Sequence, residues 1–311
     1  MSEFDVVIVG AGVAGLTAGR HVAEGGARVL VIDRQGVGGQ VSTVEDLTNA
    51  PGRPSPIAGY DLGVELLEEA ESAGAEILLA EITGIERSDG GFALIGADEQ
   101  ISATSVILAA GSQRRALDAP GEREFEGRGV SRCASCDGPF FRDKRVVVVG
   151  GGDSAFDEAG VLAGFAREVL IVHTGAAPTA RPEISAPTLS HQNVRLWADA
   201  TVSAIRGESA VSTVAIRDLP TGSETEVAAD GVFIYIGLDP NTDWLGGIVD
   251  LEEDGRITVD ETLATSCAGV FASGDIRSGA TALLTESASD GEVAARSALR
   301  HLAAARAPAA P

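Results

Sequence analysis

Apolar and polar positions alternate along this chain in blocks, and one pattern of blocks occurs twice. Asp5-Val6-Val7-Ile8-Val9 is an almost unbroken apolar run of strand length, which predicts a buried strand. Gly10-Ala11-Gly12-Val13-Ala14-Gly15 follows at once. Leu16 to Glu24 suits a helix, Gly25-Gly26 ends it, and Ala27 to Ile32 predicts a second strand closing on Asp33. Later, Arg145 to Val149 predicts a strand, Gly150-Gly151-Gly152-Asp153-Ser154-Ala155 a turn, Phe156 to Ala166 a helix, and Glu168 to Val172 the next strand.

Between and after these units the period shortens. Glu76–Ala80, Gly91–Ile95 and Ala103–Ala109 predict short strands, and Val194 to Ile236 is a second β-rich stretch with a turn near Leu219-Pro220-Thr221-Gly222. Gly269 to Ser273 predicts a strand, and Thr285 to Ala305 a helix. Two strand–turn–helix–strand units imply two α/β domains, each Rossmann-like and each with a small β-rich subdomain.

The two glycine turns carry candidate chemistry. Gly10, Gly12 and Gly15 fit G-x-G-x-x-G. The first glycine permits the tight turn, the second lets backbone approach a pyrophosphate, and the third lets helix pack close to strand. The helix N-terminus then faces the phosphates with unpaired N–H groups. Asp33 lies where an acid can bond ribose hydroxyls. Gly150, Gly152, Asp153 and Ser154 form a similar turn and predict a second dinucleotide site of the NAD(P) type. Two such sites in one chain point to hydride passing between cofactors.

Charge and cysteine usage narrow the class. The formal charge is −23, and Lys144 is the only lysine. No basic face is offered to nucleic acid. Such acidity suits either a concentrated-salt environment or a codon bias that favours Arg over Lys. No apolar run reaches the roughly 20 residues of a membrane span. The acidic start, Met1-Ser2-Glu3-Phe4-Asp5, lacks the basic segment of a signal peptide, so a soluble cytoplasmic protein is expected. Three cysteines do not make a disulfide scaffold. His21, His173, His191 and His301 show no ligand spacing, so no metal site is expected. Cys133-Ala-Ser-Cys136 instead reads as a redox pair, with Asp137 beside it to move protons. Cys267 has no partner in sequence and reads as a buried small residue.

These residues together resemble the low-molecular-weight thioredoxin reductases of bacteria and archaea, over almost the whole chain. Gly38-Gly39-Gln40 with Asn49-Ala-Pro51-Gly52 is similar to that family's FAD-binding segment. Cys133-Ala-Ser-Cys136-Asp137-Gly138 resembles its redox motif, and Tyr235-Ile-Gly237-Leu-Asp-Pro240-Asn241-Thr242 its return crossover. Gly269-Val-Phe-Ala-Ser-Gly274-Asp275 resembles its second FAD contact. The resemblance implies an FAD domain of residues 1–115 and 243–311, with an inserted NAD(P)-type domain, 116–242, that carries the cysteines. It implies hinges near Gly111–Pro120 and Gly237–Thr242, and a homodimer. It assigns Gly10, Ala11, Gly12, Gly15, Asp33, Gly39, Gln40, Asn49, Gly274, Asp275, Ala282 and Leu283 to FAD. Cys136 is then the sulfur toward the flavin, Cys133 the thiol that attacks a thioredoxin or similar small redox protein, and Asp137 the acid and base.

Two segments depart from the family's pattern. NADPH-using members carry His-Arg-Arg after the second strand of the inserted domain, where guanidinium groups hold the 2′-phosphate. This chain reads His173-Thr174-Gly175, and its next arginine is Arg181. NADPH, NADH, reduced ferredoxin or no nicotinamide at all stay open as electron donor. After Asp275 the family's Arg-Gln pair is replaced within Thr281-Ala282-Leu283-Leu284. Besides the disulfide reductase, an oxygen-using dithiol oxidase and a ferredoxin-dependent thioredoxin reductase are therefore alternatives, as is a flavin-binding protein that makes no use of the thiols.

Overall fold

The structure is a computed structural model that describes residues 3–44, 47, 50, 52–53, 56–97 and 100–306. In chain order it begins with β1 (Phe4–Val9), α1 (Val13–Glu24), β2 (Val29–Asp33), α2 (Gly59–Ala73) and β3 (Glu76–Leu79). A β meander follows: β4 (Ile82–Ser88), β5 (Gly91–Gly96) and β6 (Gln100–Leu108). After β7 (Ser112–Arg114) come β8 (Val130–Ser131), the single turn α3 (Ala134–Asp137), β9 (Arg145–Val149), α4 (Asp153–Ala163), β10 (Glu168–Val172), α5 (Pro182–Ser190) and β11 (Val194–Trp197). The meander β12 (Ala200–Gly207), β13 (Val211–Asp218) and β14 (Glu224–Ala228) precedes β15 (Gly231–Ile234) and β16 (Leu238–Pro240). The chain closes with β17 (Val270–Ala272) and α6 (Leu284–Arg306).

These elements form two compact units. The first comprises Met1–Gln113 and Asp239–Pro311, and the second Arg114–Leu238. The first unit holds a sheet in the order β3-β2-β1-β6-β5-β4, with β17 also paired to β6. β3, β2, β1, β6 and β17 run parallel, whereas β4, β5 and β6 are antiparallel. Val7, Val9 and Leu30 point into one core, and Val6, Ile8 and Val31 into another. Burial on both faces is why β1 and β2 read as unbroken apolar runs. The second unit holds a parallel sheet, β11-β10-β9-β15-β8, beside the antiparallel sheet β12-β13-β14.

The structure adds elements that the pattern did not predict: α2, β4, α3 and α5. It also moves boundaries. The expected helix of 156–166 starts earlier, at Asp153, and its cap is Gly164. The expected start of the first helix at Leu16 lies one turn inside α1. In both cases the glycine turn itself supplies the N-cap, Gly12 and Gly152 respectively, in extended conformation. The last helix extends by one residue at each end beyond 285–305.

Candidate functional site

In the first unit, the glycine turn is held from both sides. Gly10 has φ +114°, and a Cβ there would stand 2.2 Å from the Ala109 carbonyl oxygen. A Cβ on Gly15 would stand 1.8 Å from the Gly10 carbonyl oxygen. Around Gly12, by contrast, the only heavy atom of the described residues within reach of such a Cβ is the Gly39 Cα, at 4.0 Å. No side chain caps α1 and no acid lies in its first turn. Its N-terminal N–H groups are therefore left for an anion. This open, uncapped glycine cradle fits a dinucleotide pyrophosphate.

Three sequence segments converge on that cradle. The Gly38 N–H donates to the Ala11 carbonyl (2.8 Å), which draws Gly39 and Gln40 alongside the turn. The Gln40 side-chain amide donates to the Ser112 carbonyl (2.8 Å) and hydroxyl (3.1 Å). That hydroxyl lies 3.4 Å from an Asp275 carboxylate oxygen. The Gly274 N–H is fixed by the buried Asp290 carboxylate (3.0 Å), which also pairs with Arg277 (2.6 Å). Burial pushes the Asp275 carboxyl above its ordinary value, although Ser112 opposes the shift. The Ser273 hydroxyl is buried and without a hydrogen-bond partner among the described residues. Ser112, Asp290 and Arg277 were not singled out in the sequence; nothing local to them signals the contact.

Other expected residues of this unit stand apart or are already engaged. Asp33 accepts the Ala11 N–H on one oxygen (2.8 Å) and the Gln35 and Gly36 N–H groups on the other (2.7 and 3.0 Å). A carboxylate has about four acceptor sites, so it retains room for one hydroxyl. Ala282 adopts φ +56° and Leu283 is half exposed, just ahead of α6. Asn49 lies outside the described residues. Cys267 is free and buried, and burial pushes its thiol up.

The cysteines lie in the second unit and form a disulfide, with 5.4 Å between their Cα atoms. Cys133 is the N-cap of α3, and its Sγ accepts the Cys136 N–H at 3.2 Å. A thiolate at that position would gain the same N–H, which favours the charged form. The Cys133 N–H donates to the Ser131 hydroxyl (3.1 Å), and the Asp137 N–H to the Cys133 carbonyl (3.1 Å). Arg132 is clamped to the buried Glu122 (2.6 Å) and to the Arg115 carbonyl (3.2 Å). After Gly138 the chain buries Phe141 edge-on against Phe233 and leaves Phe140 exposed.

The second glycine turn is built like the first but is furnished differently. Gly150 has φ +141°, and a Cβ there would stand 2.1 Å from the Tyr235 carbonyl oxygen. α4 carries Asp153 in its first turn. Asp153 accepts from the Arg181 backbone N–H (2.7 Å) and guanidinium Nε (2.6 Å), and these bonds hold its carboxyl below the usual value. The Thr179 and Ala180 N–H groups both donate to the Gly151 carbonyl (2.8 and 2.9 Å). Loop 174–181 is thus tied across the turn. Ser154 is exposed. His173 is buried, its Nδ1 accepts the Gly175 N–H (3.1 Å), and burial lowers its pKa.

Residues 4–298 match the family described as pyridine nucleotide-disulphide oxidoreductase. The chain is 40% identical to the thioredoxin reductase of Treponema pallidum over 303 residues, covering 97% of this chain and 98% of that one. It is 38% identical to the thioredoxin reductase of Bacillus subtilis, covering 96% and 95%. The crystal structure of Lactococcus lactis thioredoxin reductase (FR conformation) superposes with a TM-score of 0.86 at 35% identity, covering 97% of this chain and all of that one.

Proposed function

The chain belongs to the pyridine nucleotide-disulphide oxidoreductases, and on that premise we propose that it reduces the disulfide of thioredoxin or a similar small redox protein. The observation that carries this reading is the Cys133–Cys136 disulfide at the cap of α3, with the Cys136 N–H directed at the Cys133 sulfur. The likenesses support this reductase reading over the oxygen-using oxidase.

The first unit is the FAD-binding body, with the cradle of Gly10, Ala11, Gly12 and Gly15 for the pyrophosphate. Gly39, Gln40, Gly274 and Asp275 flank it, and Asn49, Ala282 and Leu283 belong to the same set. FAD bound there supplies a carrier that accepts hydride from a nicotinamide and passes electrons to a disulfide. The second unit is the pyridine-nucleotide body and carries the thiols. Cys136 receives the electrons. Cys133, as thiolate, attacks the partner's disulfide, forming a mixed disulfide and releasing one partner thiolate. Asp137 protonates that leaving sulfur. Cys136, as thiolate, then attacks Cys133 Sγ, which restores the Cys133–Cys136 disulfide and frees the reduced partner. The protein works in the cytoplasm as a homodimer.

Gly150, Gly152, Asp153 and Ser154 hold the nicotinamide nucleotide, with no preference for a 2′-phosphate. Thr174 and Gly175 stand where a guanidinium pair would be needed, and Arg181 is committed to Asp153. The test is anaerobic titration of the yellow protein with NADH and NADPH, followed by addition of an oxidised thioredoxin. Both nucleotides bleach the flavin, NADPH with no advantage, and the thioredoxin disulfide is then reduced. Bleaching by reduced ferredoxin alone would replace the donor. Failure of thioredoxin to reoxidise the enzyme would overturn the reductase.

A further inference from the structure

Glu158 lies on α4 between the buried Phe156 and Ala159. A carboxylate in such a place is costly unless its oxygens find donors. The Ala134 N–H stands 2.9 Å from Glu158 Oε2. Ala134 immediately follows Cys133 and is the first residue of α3. The carboxylate thus backs the redox pair directly. The buried Tyr235 hydroxyl lies beside Glu158 and draws its carboxyl downward as well. Among the other charged groups, Arg114 attracts the carboxylate, Asp157 on α4 itself repels it, and Asp137 ends α3. Burial outweighs the attractive contacts and pushes the Glu158 carboxyl above its ordinary value.

The disulfide is neutral, whereas the reduced pair must carry a thiolate to attack a partner. Two negative charges would then face each other across one half-buried turn. We propose that Glu158 is a positioning residue that couples its own protonation to reduction of the Cys133–Cys136 pair. Two electrons and one proton convert the disulfide to one thiol and one thiolate, and that thiolate raises the affinity of the still partly ionised Glu158 for a second proton from solvent. Ionised Glu158 opposes the Cys133 thiolate, and neutral Glu158 does not. Throughout, the Ala134 N–H keeps α3 in register on α4. The proposal rests on the disulfide-reductase reading, in which these cysteines are the redox centre.

The test uses the reduced holoenzyme and Glu158→Gln, which keeps an acceptor for the Ala134 N–H and removes the charge. The rate of Cys133 alkylation by iodoacetamide is followed against pH. The inflection in Glu158→Gln moves down by about one pH unit, giving roughly tenfold faster alkylation on its acid side. An unchanged profile would overturn the proposal. If the variant does not fold, wild-type holoenzyme labelled with ¹³C-carboxyl glutamate decides. Its reduced-minus-oxidised infrared spectrum gains a labelled carboxylic-acid band, and absence of that band sinks the coupling. Neither result touches the parent reading, which fails separately if the flavin does not reduce the disulfide in wild type.

Discussion

Gly10 and Asp137 mark two kinds of single-residue constraint. At Gly10 the backbone is left-handed and a side chain would collide with the Ala109 carbonyl, which belongs to rigid sheet-end backbone. Gly10→Ala should cost about 2–3 kcal/mol or more, because strain and overlap both apply. The checks are a lower melting temperature and loss of bound flavin relative to wild type. Asp137 carries no such structural load through its side chain. Asp137→Asn should therefore keep its flavin and its melting temperature. Its turnover with a disulfide partner should fall about 10²- to 10⁴-fold, the ordinary span for removing a general acid. Equal turnover in the two proteins would remove Asp137 from the proton path. Glycine spacing and Cys-Ala-Ser-Cys-Asp were both legible in sequence because each is local. Glu158 was not, because its significance arises only when α4 packs against α3, 24 residues away in the chain.

Helices α2 and α5 show why some elements escape pattern reading. α2 contains Gly59 and Gly63, which lower helix propensity by roughly 1 kcal/mol each. The fold uses them for contact: a Cβ on Gly63 would stand 2.9 Å from the Gly38 Cα, and one on Gly59 1.9 Å from the Val41 carbonyl oxygen. α5 starts with a proline and contains Pro187. α2 is tied to α1 through Glu69, which bridges Arg20 (2.9 Å) and Arg53 (2.5 Å). Partial burial raises the Glu69 carboxyl, but the two guanidinium groups, Arg53 first, outweigh it and hold it below the usual carboxylate range. A carboxyl lowered on folding stabilises the protein above its unfolded value, and that contribution fades as pH falls through the lowered one. Glu69→Gln should thus cost about 0.5–1 kcal/mol at pH 7 after allowance for solvent screening, and the two proteins should converge in acid, as pH falls through the lowered value. Denaturant melts at pH 7 and in acid would check this.

Loop 174–181 belongs to the same scale. Arg181 is held by Asp153, and Thr174 and Gly175 offer no cation. The double variant Thr174→Arg, Gly175→Arg should tighten NADPH about tenfold or more relative to NADH, the worth of one charge-assisted phosphate contact. Titrations of flavin bleaching with each nucleotide measure it. An unchanged NADPH-to-NADH ratio would argue that the tied loop, rather than the missing arginines, governs the site.

The whole molecule is two compact units, and its net charge is −23. Self-repulsion of that size opposes compaction and is screened once the Debye length falls from about 30 Å at 0.01 M salt to about 3 Å at 1 M. The melting temperature should therefore rise with sodium chloride over that range. A flat or falling response would show that local pairs, not net charge, dominate the electrostatics. No helix among the described residues is long and apolar enough to cross a membrane. Acidity alone could not assign a function.

By itself the sequence determined the two glycine turns, the cysteine pair and the order of the main strands. Each of these depends on residues adjacent in the chain, where φ restrictions, apolar runs and short spacings speak directly. Only the tertiary structure decided that Gln40, Ser112 and Asp275 meet, that Arg181 closes on Asp153, and that a half-buried carboxylate backs the cysteines. Those contacts join segments far apart in sequence. Hydrogen-bond geometry and burial select them, and neither exists until the sheets and helices have packed.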